Sequence, residues 1–212
     1  MVKAILGRKL RMTQMFTEDG RVIPLTAIEV GPCPITQVKT QETDGYTAIQ
    51  IGFDQKKEVR TPKPMKGHFA KANVAPLRVL KEIRVADAAE FAVGQELNAS
   101  LFEEGDHVDV SSKSKGRGFQ GGIRRHGWGG GRKTHGSMFH RAIGSLGPGT
   151  GIGRIFKGKT LPGHMGHENV TIRNLKVVKV DAENGLIFVH GGIPGPSGAV
   201  VYVKQTTKNY KK

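Results

Sequence analysis

The chain has 212 residues, of which 37% are hydrophobic and only 6% aromatic, so its supply of apolar side chains is thin. Lys and Arg number 33 against 18 Asp and Glu, a formal net charge of +15. Such an excess opposes compaction unless a polyanion neutralises it, which points to nucleic acid or an anionic membrane surface. A membrane is the weaker option because no long apolar run and no basic amphipathic helix is evident.

Cysteine usage and the N-terminal residues bear on the compartment. The only cysteine, Cys33, excludes an internal disulfide and a thiolate metal cluster. The first residues lack the long apolar core and the small-residue cleavage site of a signal peptide. We therefore expect a cytoplasmic protein.

Residues 1–110 are predicted to form mainly β-strands, because apolar and polar residues alternate and turn residues separate the runs. The predicted strands are Val2–Leu6, Thr13–Phe16, Val22–Val30, Ile35–Lys39, Tyr46–Phe53, Leu80–Val85 and His107–Val110. Residues 54–78 interrupt them as an irregular basic excursion, in which prolines are expected to break regular structure. Phosphate contact and a solvated surface are equally compatible with this excursion.

The charge is concentrated in one segment. From Ser111 to His167, 57 residues contain 11 Lys or Arg and no Asp or Glu, which leaves 22 basic and all 18 acidic residues elsewhere. The segment also holds 17 of the 30 glycines and shows neither helical nor strand periodicity. A stretch this long without regular structure is typically a functional loop, the alternative being a flexible linker between two domains.

Three further strands are predicted after this segment, at Val170–Val180, Leu186–Val189 and Ala199–Lys204, with a Gly/Pro-rich bend at Gly191–Gly198. They are too short to bury a separate core, so we expect them to complete the sheet begun by residues 1–110. The predicted organisation is one β-domain of residues 1–110 and 168–204, an inserted loop of residues 111–167, and a basic C-terminal tail of residues 205–212.

Two motifs in the segment point to other functions and are rejected. Gly116–Gly121 reads GRGFQG, which matches the dinucleotide-binding fingerprint, but the glycine-rich continuation would not support the helix that this fingerprint requires. Five histidines raise the question of a metal, yet only His164 and His167 with Glu168 approach ligand spacing. We predict no metal site and no cofactor.

An enzyme is also unsupported. Ser137 and Ser145 lie near His135 and His140 in sequence, but the segment has no carboxylate that could orient a catalytic histidine. We expect no catalytic residue and no small-molecule substrate.

RNA binding explains the features of the segment together. Arg and Lys neutralise phosphates, glycines allow close backbone approach, and Trp128 and Phe139 offer faces for stacking on unpaired bases. Double-stranded DNA is the less apt target because no recognition helix is visible. The candidate RNA-binding residues are Lys113, Lys115, Arg117, Arg124, Arg125, Trp128, Arg132, Lys133, His135, His140, Arg141, Arg154, Lys157 and Lys159.

Several motifs in this order resemble the bacterial members of the universal large-subunit ribosomal protein three family. The resemblance covers essentially the whole chain. The stretches that carry it are Gly7–Val30, Asp44–Phe53, Lys66–Ala72, Ser114–Gly121 (SKGRGFQG), Thr134–Ser137 (THGS), Gly144–Gly147 (GSLG) and Phe156–Gly166 (FKGKTLPGHMG).

The resemblance implies a closed β-barrel of the translation-factor type with the long basic loop inserted between barrel strands. It implies a structural role in the large ribosomal subunit: binding of ribosomal RNA near its 3′ end, early action in assembly, and ribosomal proteins fourteen and nineteen as neighbours. It also places the turn Gly144–Gly151 as a loop tip near the peptidyl transferase centre. The candidate tip residues are Gly144, Ser145, Leu146, Gly147, Pro148 and Gly149.

Two positions depart from the family pattern. Some bacterial members carry a methylated glutamine at the tip, where this chain has Thr150, so that modification is not available. Some members follow the basic pair with Trp-Asn-Phe, where this chain has His126-Gly127-Trp128.

The alternative function is a free-standing RNA chaperone or nucleic-acid-binding protein.

Overall fold

The computed structural model describes residues 3–149 and 151–207, which form two compact units. Unit 1 contains the described residues up to Lys113 and from Asn169 onward, and unit 2 is Ser114–Glu168. The strands are β1 Ala4–Phe16, β2 Val22–Val30, β3 Cys33–Lys39, β4 Ala48–Gln55, β5 Leu77–Arg84, β6 Glu96–Leu97, β7 His107–Lys113, β8 Gly118–Gln120, β9 Gly163–Met165, β10 Asn169–Asp181, β11 Leu186–His190 and β12 Val200–Gln205. The helices are α1 Gln41–Asp44, α2 Lys63–Lys71 and α3 Gly122–His126, with 3₁₀ turns at Glu58–Arg60 and Ala99–Leu101.

Six antiparallel strands of unit 1 close into a barrel in the order β1, β12, β7, β10, β11 and β2. The predicted closed barrel is therefore confirmed. The C-terminal strands complete the barrel, because β12 pairs with β1 and β11 pairs with β2. Every second residue of β7 and β12 points inward, and Val108, Val110, Val201 and Val203 are fully buried.

A second sheet of unit 1 has the strand order β5, β4, β3, β6. Its Ile35, Ile49 and Ile51 belong to the same buried cluster as barrel residues such as Ile5 and Val110. The sheet therefore packs on the barrel and shares its core, which the alternation of the predicted strands did not reveal.

The first strand is longer than predicted. The sequence predicts separate strands at Val2–Leu6 and Thr13–Phe16, whereas β1 runs without a break from Ala4 to Phe16; Val2 itself lies outside the described residues. The pairing with β2 shifts register between Lys9 and Met12, which marks a β-bulge. A bulge disturbs the apolar alternation, so one strand reads as two.

Residues 54–78 are more regular than predicted. They contain the nine-residue helix α2 and the turn Glu58–Arg60. Pro64 lies in the first turn of α2, where a backbone N–H has no helical partner in any case. The prolines therefore help to begin this helix instead of breaking it.

A buried lysine secures the Gly/Pro-rich bend beside the barrel. The ammonium group of Lys9 donates hydrogen bonds to the carbonyls of Ile193 at 2.7 Å and Gly195 at 2.9 Å. Gly195 has φ +92°, and a Cβ there would lie 2.9 Å from the carbonyl oxygen of Lys113. The bend is thus held against the last residue of β7, where the chain leaves unit 1.

Candidate nucleic-acid interface

Unit 2 begins and ends in a short two-stranded ribbon. The amide of Ser114 donates to the carbonyl of Glu168 at 2.8 Å, and that of Arg117 donates to Met165 at 2.9 Å. Strands β8 and β9 then pair antiparallel, with Phe119 opposite His164. The sequence predicts no regular structure here, whereas the structure has this ribbon and the five-residue helix α3. Both elements are too short to produce a periodic pattern in the sequence.

The described residues between α3 and β9, 127–149 and 151–162, form turns and irregular chain. Helix α3 ends at Gly127, whose φ of +71° forms a left-handed cap. Further along, the amide of Gly131 donates to the carbonyl of His140 at 3.0 Å, which closes a loop. A side chain at Gly131 would overlap the carbonyl of Phe139, so this closure requires glycine.

One predicted RNA-binding residue also joins parts of unit 2 that are distant in sequence. The guanidinium of Arg125 donates to the carbonyl of Leu161 at 2.7 Å, and Nε2 of His126 lies 3.0 Å from the same oxygen. A Cβ at Gly163 would lie 2.8 Å from the Arg125 guanidinium. Arg125 therefore holds α3 against the returning chain, a role that its spacing in sequence does not indicate.

Trp128 is also engaged within unit 2. Its ring stacks on His126, with ring centroids 5.9 Å apart and an interplanar angle of 26°. The indole packs so closely on Gly122 that no side chain would fit there. The predicted stacking of Trp128 on an RNA base stays a prediction, and His126 already occupies part of its surface.

The charges of unit 2 are exposed and have no counter-charge beside them. The unit contains ten Lys or Arg and one carboxylate, Glu168. Among the described residues of this unit no ion pair forms, whereas unit 1 pairs Lys39 with Glu82 at 2.8 Å and Arg8 with Asp54 at 2.8 Å. The cations, all exposed, are Lys115, Arg117, Arg124, Arg125, Arg132, Lys133, Arg141, Arg154, Lys157 and Lys159.

The remaining predicted residues are also accessible. Lys113 is exposed at the end of β7 and belongs to unit 1, and His135 and His140 are exposed in unit 2. Residues 144–149 of the predicted tip are all exposed, with Gly147 at φ +138°. Thr150 lies outside the described residues, as do residues 208–212 of the predicted basic tail.

Several exposed apolar side chains of unit 2 were not predicted from the sequence. Phe119 is 77% exposed, Met138 97% and Phe156 52%. One signal in the sequence could have identified these side chains. They are large apolar residues among glycines and cations, without the periodic apolar neighbours that a core requires. They add apolar and aromatic surface to the charged surface of the unit.

The described residues offer little support for other kinds of site. Residues 3–149 and 151–207 contain no group of three or more His, Cys, Asp or Glu that could hold a metal ion. Over the same residues, no helix is both long enough and apolar enough to cross a membrane.

The fold and the charges define a mainly β, strongly basic protein, in which one unit has many Lys and Arg and a single carboxylate. The sequence model of the family described as Ribosomal protein L3 matches residues 35–212. The "Large ribosomal subunit protein uL3" of Pelotomaculum thermopropionicum is 53% identical over 208 residues, which cover 98% of this chain and 99% of that protein. The proteins of the same name from Carboxydothermus hydrogenoformans and Alkaliphilus metalliredigens are 53% and 50% identical, over 98% and 99% of this chain and 99% and 100% of theirs.

The chain therefore belongs to the ribosomal protein L3 family, as the motifs indicated. Members of this family are ribosomal components and not enzymes, which confirms the prediction made from the missing catalytic residues.

Replacing Arg125 with Ala tests its role within unit 2. We expect amide exchange in the β8–β9 ribbon to become about fivefold faster, because a partly exposed hydrogen bond from a charged donor contributes roughly 1 kcal/mol. Arg124→Ala is the matched control, because the hydrogen bond from the Arg124 guanidinium to the side-chain oxygen of Gln120 is long, at 3.5 Å. Hydrogen–deuterium exchange on the full chain measures both variants, and equal exchange rates would contradict the assignment.

Proposed function

We propose that this chain is a structural constituent of the large ribosomal subunit that binds large-subunit ribosomal RNA through unit 2. One observation supports this proposal above all: the ten Lys and Arg of unit 2 are exposed, and the unit has only one carboxylate. Among the described residues of the unit, none of these cations forms an ion pair. The names of the relatives, which refer to the large ribosomal subunit, support the same role. In a bacterium, this role places the chain in the cytoplasm.

The chemistry of binding is neutralisation of phosphates. Each Lys or Arg that meets a phosphate releases condensed counterions, and this release favours the complex strongly at low salt. Glycines along the segment let the backbone approach the RNA closely, and Phe119 and Phe156 present apolar ring surface to bases. Cations therefore provide affinity, while glycines and rings adapt the segment to a folded RNA.

The tip, residues 144–149, has a different role in this proposal. It contains no charged residue, although Arg141 and Arg154 flank it in sequence. Charge therefore holds the arms on RNA, and the tip contributes shape. By family resemblance, the tip extends toward the peptidyl transferase centre, where RNA performs the chemistry and the protein adjusts its surroundings.

The finer parts of the proposal also rest on family resemblance. They are binding near the 3′ end of the large ribosomal RNA, early action in subunit assembly, and ribosomal proteins fourteen and nineteen as neighbours. The arrangement of a barrel unit with a long inserted loop fits this role, because the barrel supplies a stable core and the loop supplies RNA contacts.

A free-standing RNA chaperone is the alternative, and fractionation of cell extract separates the two functions. In low-magnesium extract, the tagged chain should migrate almost wholly with the large subunit. A variant with Arg132, Lys133 and Arg141 changed to Gln should shift partly to the light fractions, because three phosphate contacts are lost.

A variant with Arg173, Lys176 and Lys179 of β10 changed to Gln is the matched control. It removes the same charge from exposed positions of unit 1 and should stay with the subunit. Wild-type chain found mainly in the light fractions would favour the chaperone.

Replacing Gly147 with Trp tests the role of the tip. The φ of +138° strains a side chain at Gly147, but the space around it is open and no cation is touched, so subunit yield should stay nearly normal. The bulky side chain should displace adjacent RNA and change the sensitivity of the ribosomes to drugs bound at the peptidyl transferase centre. Gly158→Trp, at an exposed glycine of the arm that also has positive φ, is the control and should leave drug sensitivity unchanged. Identical drug inhibition curves for the two variants would refute a special role for the tip.

A further inference from the structure

Unit 1 carries a basic surface of its own, which we call the α2 surface and define as residues 56–71. It contains six Lys or Arg and one carboxylate, Glu58. The cations are Lys56, Lys57, Arg60, Lys63, Lys66 and Lys71. This surface belongs to unit 1.

Helix α2 is held firmly on the second sheet. Phe69 is 1% exposed and anchors one side of the helix. Beside it, Nε2 of His68 lies 2.8 Å from the side-chain oxygen of Gln50, which also accepts a 2.8 Å hydrogen bond from Thr36. These contacts determine which face of α2 is directed outward, so its lysines form a preorganised surface and not a mobile tail.

The outward face presents lysines in a row. At about 100° per residue, Lys63, Gly67 and Lys71 follow one another at i, i+4 and i+8 on the face opposite Phe69. Lys63 and Lys71 are exposed and stand about 12 Å apart along the axis. Apart from the chain neighbours of Gly67 and the backbone of the helix itself, no atom of the described residues lies within 4 Å of the position that a Cβ would take there. An anionic backbone could therefore approach the helix between the two lysines.

Little of this charge is neutralised within the protein. Glu58 pairs with Lys66 at 3.4 Å, but both side chains are well exposed, so the pair is weak. Among the described residues, Lys57, Arg60, Lys63 and Lys71 form no ion pair. Most of the positive potential of the surface is therefore available to a partner.

Another segment of unit 1 has the opposite charge. Residues 85–106 contain six Asp or Glu and no Lys or Arg, so a polyanion is repelled from that segment. The α2 surface also has no exposed aromatic ring, because Phe69 is buried, and so lacks the stacking platform that single-stranded nucleic acid prefers. Charge without stacking suits the regular phosphate backbone of a double helix.

We propose that the α2 surface binds the phosphate backbone of double-helical RNA independently of its sequence, as a second RNA-binding site separate from unit 2. The inference rests on the proposed function, in which the chain binds ribosomal RNA. Unit 1 would then dock on a helix through α2 while unit 2 engages folded RNA, and the two contacts together would fix the chain more firmly than either alone.

The test compares three variants of the full chain that each lose three positive charges. The α2 variant changes Lys57, Lys63 and Lys71 to Gln, and the other two are the unit 2 and β10 variants described above. Affinity for a short blunt RNA duplex and for large-subunit ribosomal RNA is measured over a series of KCl concentrations, after thermal unfolding has shown that all three variants fold.

For the duplex, the α2 variant should reduce the slope of log affinity against log salt by about 2–3, since each phosphate contact contributes about 0.9. The β10 variant should reduce it by less than about 1. If the α2 and β10 variants reduce the slope for the duplex equally, while the unit 2 variant still loses affinity for ribosomal RNA, this inference is overturned and the proposed function is not. Unchanged ribosomal RNA affinity in the unit 2 variant would instead refute the proposed function.

Discussion

Repulsion between like charges is the constraint on which the rest of the molecule depends. Unit 2 places ten cations and one carboxylate in a segment with few buried side chains, so it gains little from a core and much from an external polyanion. Unit 1 differs because it has a core and internal ion pairs. Its barrel buries valines and isoleucines completely. Some of its carboxylates also have partners within the unit: hydrogen bonds from Lys39 and Tyr46 lower the pKa of Glu82. One chain therefore combines a unit that has a large apolar core with a unit whose described cations form no ion pair.

The barrel provides neighbouring start and end points for the inserted unit. The chain leaves unit 1 after Lys113 and returns at Asn169, and these two residues are direct partners in the β7–β10 pairing. The next pair along the two chain segments, Ser114 and Glu168 of unit 2, is also joined by a backbone hydrogen bond. A long insertion between adjacent strands therefore costs the barrel little, because the strands that flank it are already paired in the core.

The sequence predicted features that have a local signal and missed those that depend on distant contacts. Alternation identified the barrel strands, and β2 has the predicted bounds Val22–Val30. The absence of carboxylates from residues 111–167 marked a segment that overlaps most of unit 2. In contrast, α2 was missed because Pro64 reads as a breaker unless its place in the first turn is known. The bond from Arg125 to Leu161 joins residues 36 positions apart, and no residue pattern reports it.

If the chain acts as proposed, RNA phosphates neutralise the cations of unit 2 in the large ribosomal subunit, and chemical labelling of lysines can measure this. An amine-reactive reagent is applied to the free chain and to intact large subunits, and the modified lysines are identified by mass spectrometry. Lys115, Lys133, Lys157 and Lys159 are exposed in the protein and should react readily in the free chain. All four should be protected in the subunit, and equal reaction in the free chain and the subunit would show that RNA phosphates do not neutralise these lysines.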